Sequence, residues 1–179
     1  MKRIILSHGA IAGAIIIGVI ALGQLLASRD GSAEAAGSEW LGYLIMIVAL
    51  SLIFIGIKRY RDRELGGVIK FGTATRLGLG IALVAGVIYV VGWEVNLSLT
   101  DYAFIDDYTA SVIAAKEANG VSGDELQKVV DDMEVMKTRY ARAIYRLPMT
   151  FMEIFPVGLL VTLISAGLLR NSRFMAASG

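Results

Sequence analysis

Four long apolar runs constrain this chain more than any other feature of its sequence. They cover residues 4–27, 40–57, 77–95 and 149–169. The hydrocarbon core of a bilayer is about 30 Å thick, so a helix rising about 1.5 Å per residue needs about 20 residues to cross it. Lipid offers the backbone no hydrogen-bonding partner, and a crossing segment must therefore be helical. The sequence predicts an all-α integral membrane protein with four transmembrane helices.

Composition agrees with a membrane protein and argues against most enzyme chemistry. Hydrophobic residues make up 56% of the chain and charged residues 18%, which is more apolar than a typical soluble domain and far from a disordered chain. The absence of Cys excludes disulfides and thiolate metal sites, and a single His makes a histidine metal site improbable. The sequence also contains no nucleophile or metalloprotease motif. We expect no enzyme activity, no cofactor, no metal site and no nucleic-acid partner.

The first apolar run has an alternative interpretation as a secretory signal. Lys2 and Arg3 precede it, and residues 33–35 resemble a small-residue cleavage site. However, the run is longer than the roughly 7–15 residues of a signal core, and the cleavage-like residues lie well beyond its end. We therefore predict an uncleaved helix, followed by a short polar outer loop at residues 28–39.

Basic residues are divided unevenly between the two sides of the predicted helices. One side comprises both chain ends and the connection between the second and third helices, and it carries ten Lys and Arg against two acidic residues. The other side carries seven basic residues against twelve acidic ones. Because Lys and Arg are retained on the cytoplasmic side, we predict a multi-pass inner-membrane protein with its N- and C-termini in the cytoplasm.

The long connection before the fourth helix has helical periodicity of its own. Asn119 and Gly120 interrupt it, and Ser122 with Glu125 forms a capping-box pattern. This pattern predicts a periplasmic helical hairpin at about residues 101–147, or two helices that lie flat on the outer leaflet. The predicted apolar stripes are Phe104, Tyr108, Val112 and Ala115 on one helix, and Leu126, Val129, Val130, Met133, Tyr140, Ile144 and Leu147 on the other. No linker divides the chain, so residues 1–179 form one predicted membrane domain.

Two acidic residues lie within the apolar runs. Glu153 follows Pro148, the predicted start of the fourth helix, by five residues, and Glu94 lies near the outer end of the third helix. Intramembrane carboxylates are costly, and two of them close together would suit a proton or cation site. Pro156 predicts a kink beside Glu153. We therefore regard Glu153, Glu94 and Pro156 as candidate functional residues.

A structural role for both carboxylates is the alternative. Each lies nearer the interface than the bilayer centre, where the cost of a charge is greatest. Donors from the neighbouring sequence could then hold them near the headgroups; these donors are Arg142, Arg146, Trp93 or a Tyr.

A basic run follows the second helix directly. It consists of Lys58, Arg59, Arg61 and Arg63. Its main predicted role is to fix the topology, and the same residues are candidates for contact with the headgroups of membrane lipids. Small residues four positions apart predict close helix packing, within one chain or in a homo-oligomer; they are Gly9 with Gly13, Ala14 with Gly18, and Ala82 with Gly86.

Three motifs in order resemble a known family. They occupy residues 54–62, 66–72 and 149–158, with the last running on to Ser165 and Ala166. The chain resembles, over nearly its whole length, the bacterial membrane proteins known as domain of unknown function 4199. The resemblance implies a four-helix inner-membrane protein with an extramembrane segment before the last helix. It implies no activity.

The sequence alone thus favours a non-enzymatic accessory or scaffold protein whose hairpin contacts a protein partner. The alternative is a small proton- or cation-coupled transporter or channel subunit that uses Glu153 and Glu94. Such a protein would need several copies, because four helices alone seldom enclose a pathway. The two hypotheses differ in the surroundings they require for Glu153, which is a cavity for transport and a donor or the headgroups for a scaffold.

Overall fold

A computed structural model describes the backbone of residues 1–30 and 39–176, and the side chains of residues 1–23 and 42–176. These residues form helices, turns and loops, and none of them belongs to a strand. Residues 33–35, which resemble a cleavage site, and most of the predicted outer loop lie outside the described residues.

Seven helices follow one another in the described chain, and the predicted all-α class is confirmed. Four helical stretches are long and apolar enough to cross a membrane, as the four apolar runs predict; they are Lys2–Gly23, Gly42–Glu64, Phe71–Leu99 and Ala143–Leu169. The helices are α1 (Lys2–Asp30), α2 (Glu39–Leu50), α3 (Leu52–Glu64), α4 (Phe71–Leu99), α5 (Phe104–Ala118), α6 (Gly123–Tyr140) and α7 (Ala143–Leu169).

The second predicted helix is divided into α2 and α3 at Ser51, although its backbone hydrogen bonds continue. The Ser51 amide donates to the Ile47 carbonyl at 3.0 Å, and the Ser51 carbonyl accepts from the Ile55 amide at 3.3 Å. The Ser51 hydroxyl donates to the Val48 carbonyl at 2.6 Å. Such bonding of serine to the preceding turn often bends a helix. Ser51 therefore marks a local irregularity within one candidate span.

The helices extend beyond the apolar runs, because helical hydrogen bonding does not require apolar side chains. Helix α4 begins at Phe71 instead of residue 77, and α7 begins at Ala143. The prediction that Pro148 marks the start of the last helix was wrong. A proline lacks an N–H and leaves the carbonyl four residues earlier without a donor. Here that carbonyl belongs to Ile144, a residue 75% exposed.

The described chain forms two compact units. The first contains Met1–Gly92 and the chain from Phe151 onwards. Its hydrophobic core draws on α1, α2, α3, α4 and α7, and its fully buried members include Ile16, Leu50, Ile53, Ile57, Leu77, Ile81, Ala85, Ala166 and Leu169. Burial of these side chains orders the helices of this unit.

The second unit contains Trp93–Thr150. Within it α5 and α6 pack against each other, and Lys137 of α6 forms an ion pair with Asp106 of α5. The Asp106 carboxylate raises the pKa of Lys137 above its usual value. Gly120 makes the turn between the helices with a φ of +85°, in the left-handed region that favours glycine.

The buried face of α5 differs from the predicted stripe by one residue. Ile105 is 7% exposed and Thr109 is also buried, whereas Phe104 is 36% exposed and Tyr108 is similarly exposed. The predicted stripe of α6 was too long, because α6 ends at Tyr140 and the last two predicted members, Ile144 and Leu147, belong to α7. The apolar pattern continues across the break, which is why the sequence did not reveal it.

Candidate functional site

Glu94 and Arg146 form a bidentate ion pair within the second unit. The Nε atom of Arg146 donates to Oε1 of Glu94 at 2.6 Å, and Nη2 donates to Oε2 at 2.7 Å. Arg146 is 5% exposed, and a quarter of the Glu94 side chain is exposed. The two parallel hydrogen bonds match the planar guanidinium fork to the carboxylate, which is the strongest common geometry for such a pair.

The third nitrogen of the Arg146 guanidinium caps the C-terminus of α6. Nη1 donates to the carbonyl oxygens of Tyr140 at 2.8 Å and Ala141 at 3.3 Å. These carbonyls are among those that a helix leaves without an intrahelical donor at its C-terminus. A cation at this end also interacts favourably with the helix dipole. Arg146 thus links the end of α4, through Glu94, to the end of α6.

Aromatic rings surround this ion pair. The guanidinium carbon of Arg146 lies 5.1 Å from the ring centre of Tyr102 and 5.7 Å from that of Tyr140. The indole N–H of Trp93 donates to the Tyr140 hydroxyl at 2.8 Å. The rings of Phe104 and Trp93 pack edge to face, with their centres 4.9 Å apart. We call Trp93, Glu94, Tyr102, Phe104, Tyr140 and Arg146 the aromatic–arginine cluster.

Tyr102 reaches Arg146 through an unusual backbone conformation. Asp101 and Tyr102 have φ values of +50° and +59°, a region in which residues with a side chain are disfavoured by about 1–2 kcal/mol each. The Tyr102 amide donates to the Leu97 carbonyl at 2.9 Å. This bond gives a hydrogen-bond donor to one of the last carbonyls of α4. A cation–π contact is worth about 0.5–2 kcal/mol, so the contact with Arg146 offsets part of this strain.

Glu153 accepts a hydrogen bond in the first unit. The Tyr89 hydroxyl of α4 donates to Oε2 of Glu153 on α7 at 2.9 Å. Tyr89 is buried, while the Glu153 side chain remains exposed on the surface of the protein and its neighbour Ile154 is buried. The carboxylate is therefore held by a donor at the surface of this unit, which is the arrangement required by the structural alternative.

Pro156 lies within a continuous helix. Helix α7 runs through both Pro148 and Pro156 without interruption, so the described residues show no broken helix beside Glu153. The carbonyl that Pro156 leaves without a donor belongs to Met152, whose side chain is exposed.

The four cations of the basic run have three different environments. Lys58 donates to Oδ2 of Asp62 at 2.7 Å, while Arg59 and Arg63 are exposed. Arg61 is fully buried, and its Nε donates to Oδ1 of Asp62 at 2.6 Å. Burial prevents Arg61 from contacting lipid headgroups as the sequence suggested, whereas exposure leaves Arg59 and Arg63 able to do so.

The buried guanidinium of Arg61 instead binds backbone carbonyls of the segment that follows α7. Nη1 donates to the Phe174 carbonyl at 2.9 Å, and Nη2 donates to the Met175 carbonyl at 2.8 Å. A weaker contact of 3.5 Å joins Nη1 to the carbonyl of Leu169, the last residue of α7. The role of Arg61 was missed because the sequence does not reveal which member of a basic run faces inward.

The described residues contain no group of three His, Cys, Asp or Glu side chains able to hold a metal ion. Comparison with curated proteins and with solved structures gives no significant match. The profile of one protein family, described as "Protein of unknown function (DUF4199)", matches residues 7–171. This match includes all three motifs on which the resemblance was based, and the chain belongs to that family.

Proposed function

We propose that this protein is a non-enzymatic accessory or scaffold protein of the bacterial inner membrane, with a periplasmic hairpin for partner contact. The observation that carries the proposal is that Glu94 and Glu153, the two carboxylates within the apolar runs, are both engaged by donors within the protein. Glu94 forms an ion pair with Arg146, and Glu153 accepts from Tyr89. A carboxylate that carries a proton or cation through a transport cycle needs an open path to its ligand, and these contacts favour a fixed structural role.

Exposed apolar side chains on the four candidate spans support a membrane location. Large apolar residues more than half exposed occur on every one of them, including Leu6, Val48, Val91 and Leu160. A water-soluble protein rarely exposes large contiguous apolar patches, whereas lipid chains cover such side chains at little cost. Membrane lipids are therefore the first proposed partners.

The proposed partner surface is the charged exterior of α5 and α6. The segment 101–147 carries nine acidic and six basic residues, and most of them are exposed. Such a surface suits a protein partner with complementary charge, because charge complementarity favours association and specificity. A second copy of this chain is the other proposed protein partner.

A flux measurement decides between a scaffold and a transporter. We expect liposomes that contain the wild-type protein to move neither protons nor monovalent cations above the level of empty liposomes. Glu153→Gln should instead lower the stability in detergent by about 1 kcal/mol, because the hydrogen bond from Tyr89 loses its charged acceptor. Tyr89→Phe should also lower the stability, and the double variant should lose less than the sum of the two changes. Flux in the wild type that Glu153→Gln abolishes would establish the transporter instead.

Cysteine labelling tests the proposed topology. The chain has no Cys, so a single introduced thiol is the only reactive one. We expect Ala118→Cys at the end of α5 to react with an impermeant maleimide in intact cells. Val68 lies between α3 and α4 and is 61% exposed. We expect Val68→Cys and Ser178→Cys to react only after permeabilisation. Labelling of Ser178→Cys from outside would contradict the orientation with both termini in the cytoplasm.

A further inference from the structure

A basic cavity lies between the beginning of α1 and the end of α3, within the first unit. Its volume is about 390 Å³, and its lining includes Arg3, Ser7 and His8 of α1 and Arg59, Arg63 and Glu64 of α3. Three guanidinium groups and one carboxylate thus surround a space of the size that small ligands occupy. His8 is 7% exposed and forms part of the buried wall.

The three arginines of this cavity lack acidic partners. Within the described part of the chain, none of Arg3, Arg59 and Arg63 forms an ion pair, although Glu64 lines the same cavity. Arg59 and Arg63 are four residues apart on one helix face, where like charges repel by about 0.2–0.5 kcal/mol. Arg3 adds a third positive charge to the same cavity.

The other carboxylate of α3, Asp62, is used elsewhere. Asp62 lies three residues after Arg59, but its two oxygens accept from Lys58 and Arg61. Asp62 therefore pairs with Lys58 and Arg61, while within the described chain no acid pairs with the arginines that line the cavity. A fold that gathers unneutralised arginines around a cavity offers a site for an external anion.

We propose that this cavity binds a phosphate group, either from the headgroup of an anionic phospholipid or from a free phosphate ester. Guanidinium groups form paired hydrogen bonds with phosphate oxygens. Arg3 belongs to α1 and Arg59 to α3, so donors from two helices can bind the same anion. The Ser7 hydroxyl of the same lining donates to the Ile4 carbonyl at 3.4 Å, so the arginines are the donors on which the proposal rests. The cavity volume of about 390 Å³ accommodates a phosphate ester as well as the bare ion.

Binding of a lipid headgroup rests on the proposed membrane location of the protein. Binding of a soluble phosphate ester does not, because such an ester can reach the cavity without a bilayer. The experiment therefore uses two probes on purified full-length protein in a neutral detergent. One probe is glycerol 3-phosphate, and the other is dihexanoyl phosphatidylglycerol, with dihexanoyl phosphatidylcholine as the zwitterionic control. Binding is measured as the dissociation constant from the concentration dependence of the melting temperature.

We expect at least one of the two phosphate probes to raise the melting temperature of the wild-type protein. Each of Arg3→Gln, Arg59→Gln and Arg63→Gln should weaken its binding by about tenfold, as the loss of one charge-assisted hydrogen bond implies. These side chains are exposed and without ion pairs, so the melting temperature without a probe should stay within about 2 °C of the wild type. Glu64→Gln removes the carboxylate that lines the cavity within the described chain and should tighten binding several-fold.

A matched control separates this cavity from general surface charge. Lys70→Gln, Arg76→Gln and Arg170→Gln remove exposed cations of the first unit that do not line the cavity. The triple control variant should bind the probe as the wild type does, whereas the triple variant of the cavity arginines should not bind it. Binding of glycerol 3-phosphate identifies a soluble ester as a ligand, and binding of phosphatidylglycerol alone identifies a headgroup. Equal loss in both triple variants, or no binding of either phosphate probe by the wild type, would refute the site.

Discussion

Arg146→Met should lower the free energy of unfolding by about 3–5 kcal/mol, because it leaves the Glu94 carboxylate without its partner in a partly buried position. The change also removes the donor to the carbonyls at the end of α6 and the cation beside the Tyr102 ring. For a chain of this length the loss corresponds to a fall of about 10 °C in melting temperature, measured by thermal unfolding in detergent.

Arg142→Met is the matched control for this experiment. Arg142 precedes Arg146 by one helical turn, is exposed and forms no ion pair within the described residues. Its replacement should change the free energy of unfolding by less than about 0.5 kcal/mol. If Arg142→Met and Arg146→Met were equally destabilising, the effect would come from net charge and not from the ion pair.

A double replacement tests whether the unpaired Glu94 carboxylate causes the loss of stability in Arg146→Met. Removing both charges in Glu94→Met with Arg146→Met eliminates the unpaired carboxylate, and apolar replacements of buried ion pairs are often close to neutral. We expect the double variant to be more stable than Arg146→Met alone. Recovery should be incomplete, since the Tyr140 and Ala141 carbonyls still lack their donor. A double variant less stable than both single variants would show that the pair is not coupled in this way.

The four candidate spans could be predicted from the sequence because length and lack of charge are local properties. Helix ends were less predictable. Asn119 and Gly120 did end α5, and Ser122 is the residue before α6, but its side chain makes no capping hydrogen bond. The start of α7 was misplaced because proline is tolerated near the start of a helix where the carbonyl it affects is exposed.

The sequence limited the donors to Glu94 and Glu153 to a few candidate residues, but it did not show which donor binds which carboxylate. The alternatives for Glu94 and Glu153 included Arg142, Arg146, Trp93 and a Tyr, and the structure gives Arg146 to Glu94 and Tyr89 to Glu153. These pairs are 52 and 64 residues apart. Periodicity defines the faces of one helix, but the pairing of faces from different helices depends on the tertiary packing.

The small-residue patterns of α1 had two different outcomes. A Cβ atom built at Gly9 would lie 2.6 Å from Cβ of Val84, so this glycine packs closely against α4. At Gly18 the same atom would meet nothing within 4 Å, and Ala14 is exposed. The two patterns look alike in sequence because spacing alone does not show whether another helix covers a face.

Gly13→Val should be strongly destabilising, because α4 approaches α1 too closely for any side chain at this position. A Cβ atom at Gly13 would lie 2.8 Å from Cβ of Ile88 and 2.9 Å from the carbonyl oxygen of Ala85. Neither contact involves the flexible end of a side chain, so the two helices would have to separate. Overpacking of a rigid interior costs about 1–3 kcal/mol, and the two methyl groups of valine place this change at the upper end of that range. Thermal unfolding in detergent measures the loss.

Gly18→Val on the same helix is the control for this prediction. It adds the same atoms to open space and replaces glycine by a residue with a slightly better helix propensity, so we expect no loss of stability. Gly9→Val should resemble Gly13→Val, since its added Cβ would also contact a Cβ and a backbone oxygen, those of Val84 and Ile81. Equal stability of Gly13→Val and Gly18→Val would mean that α1 and α4 do not pack through these glycines. A loss confined to Gly9 and Gly13 would establish that close approach as a determinant of the fold.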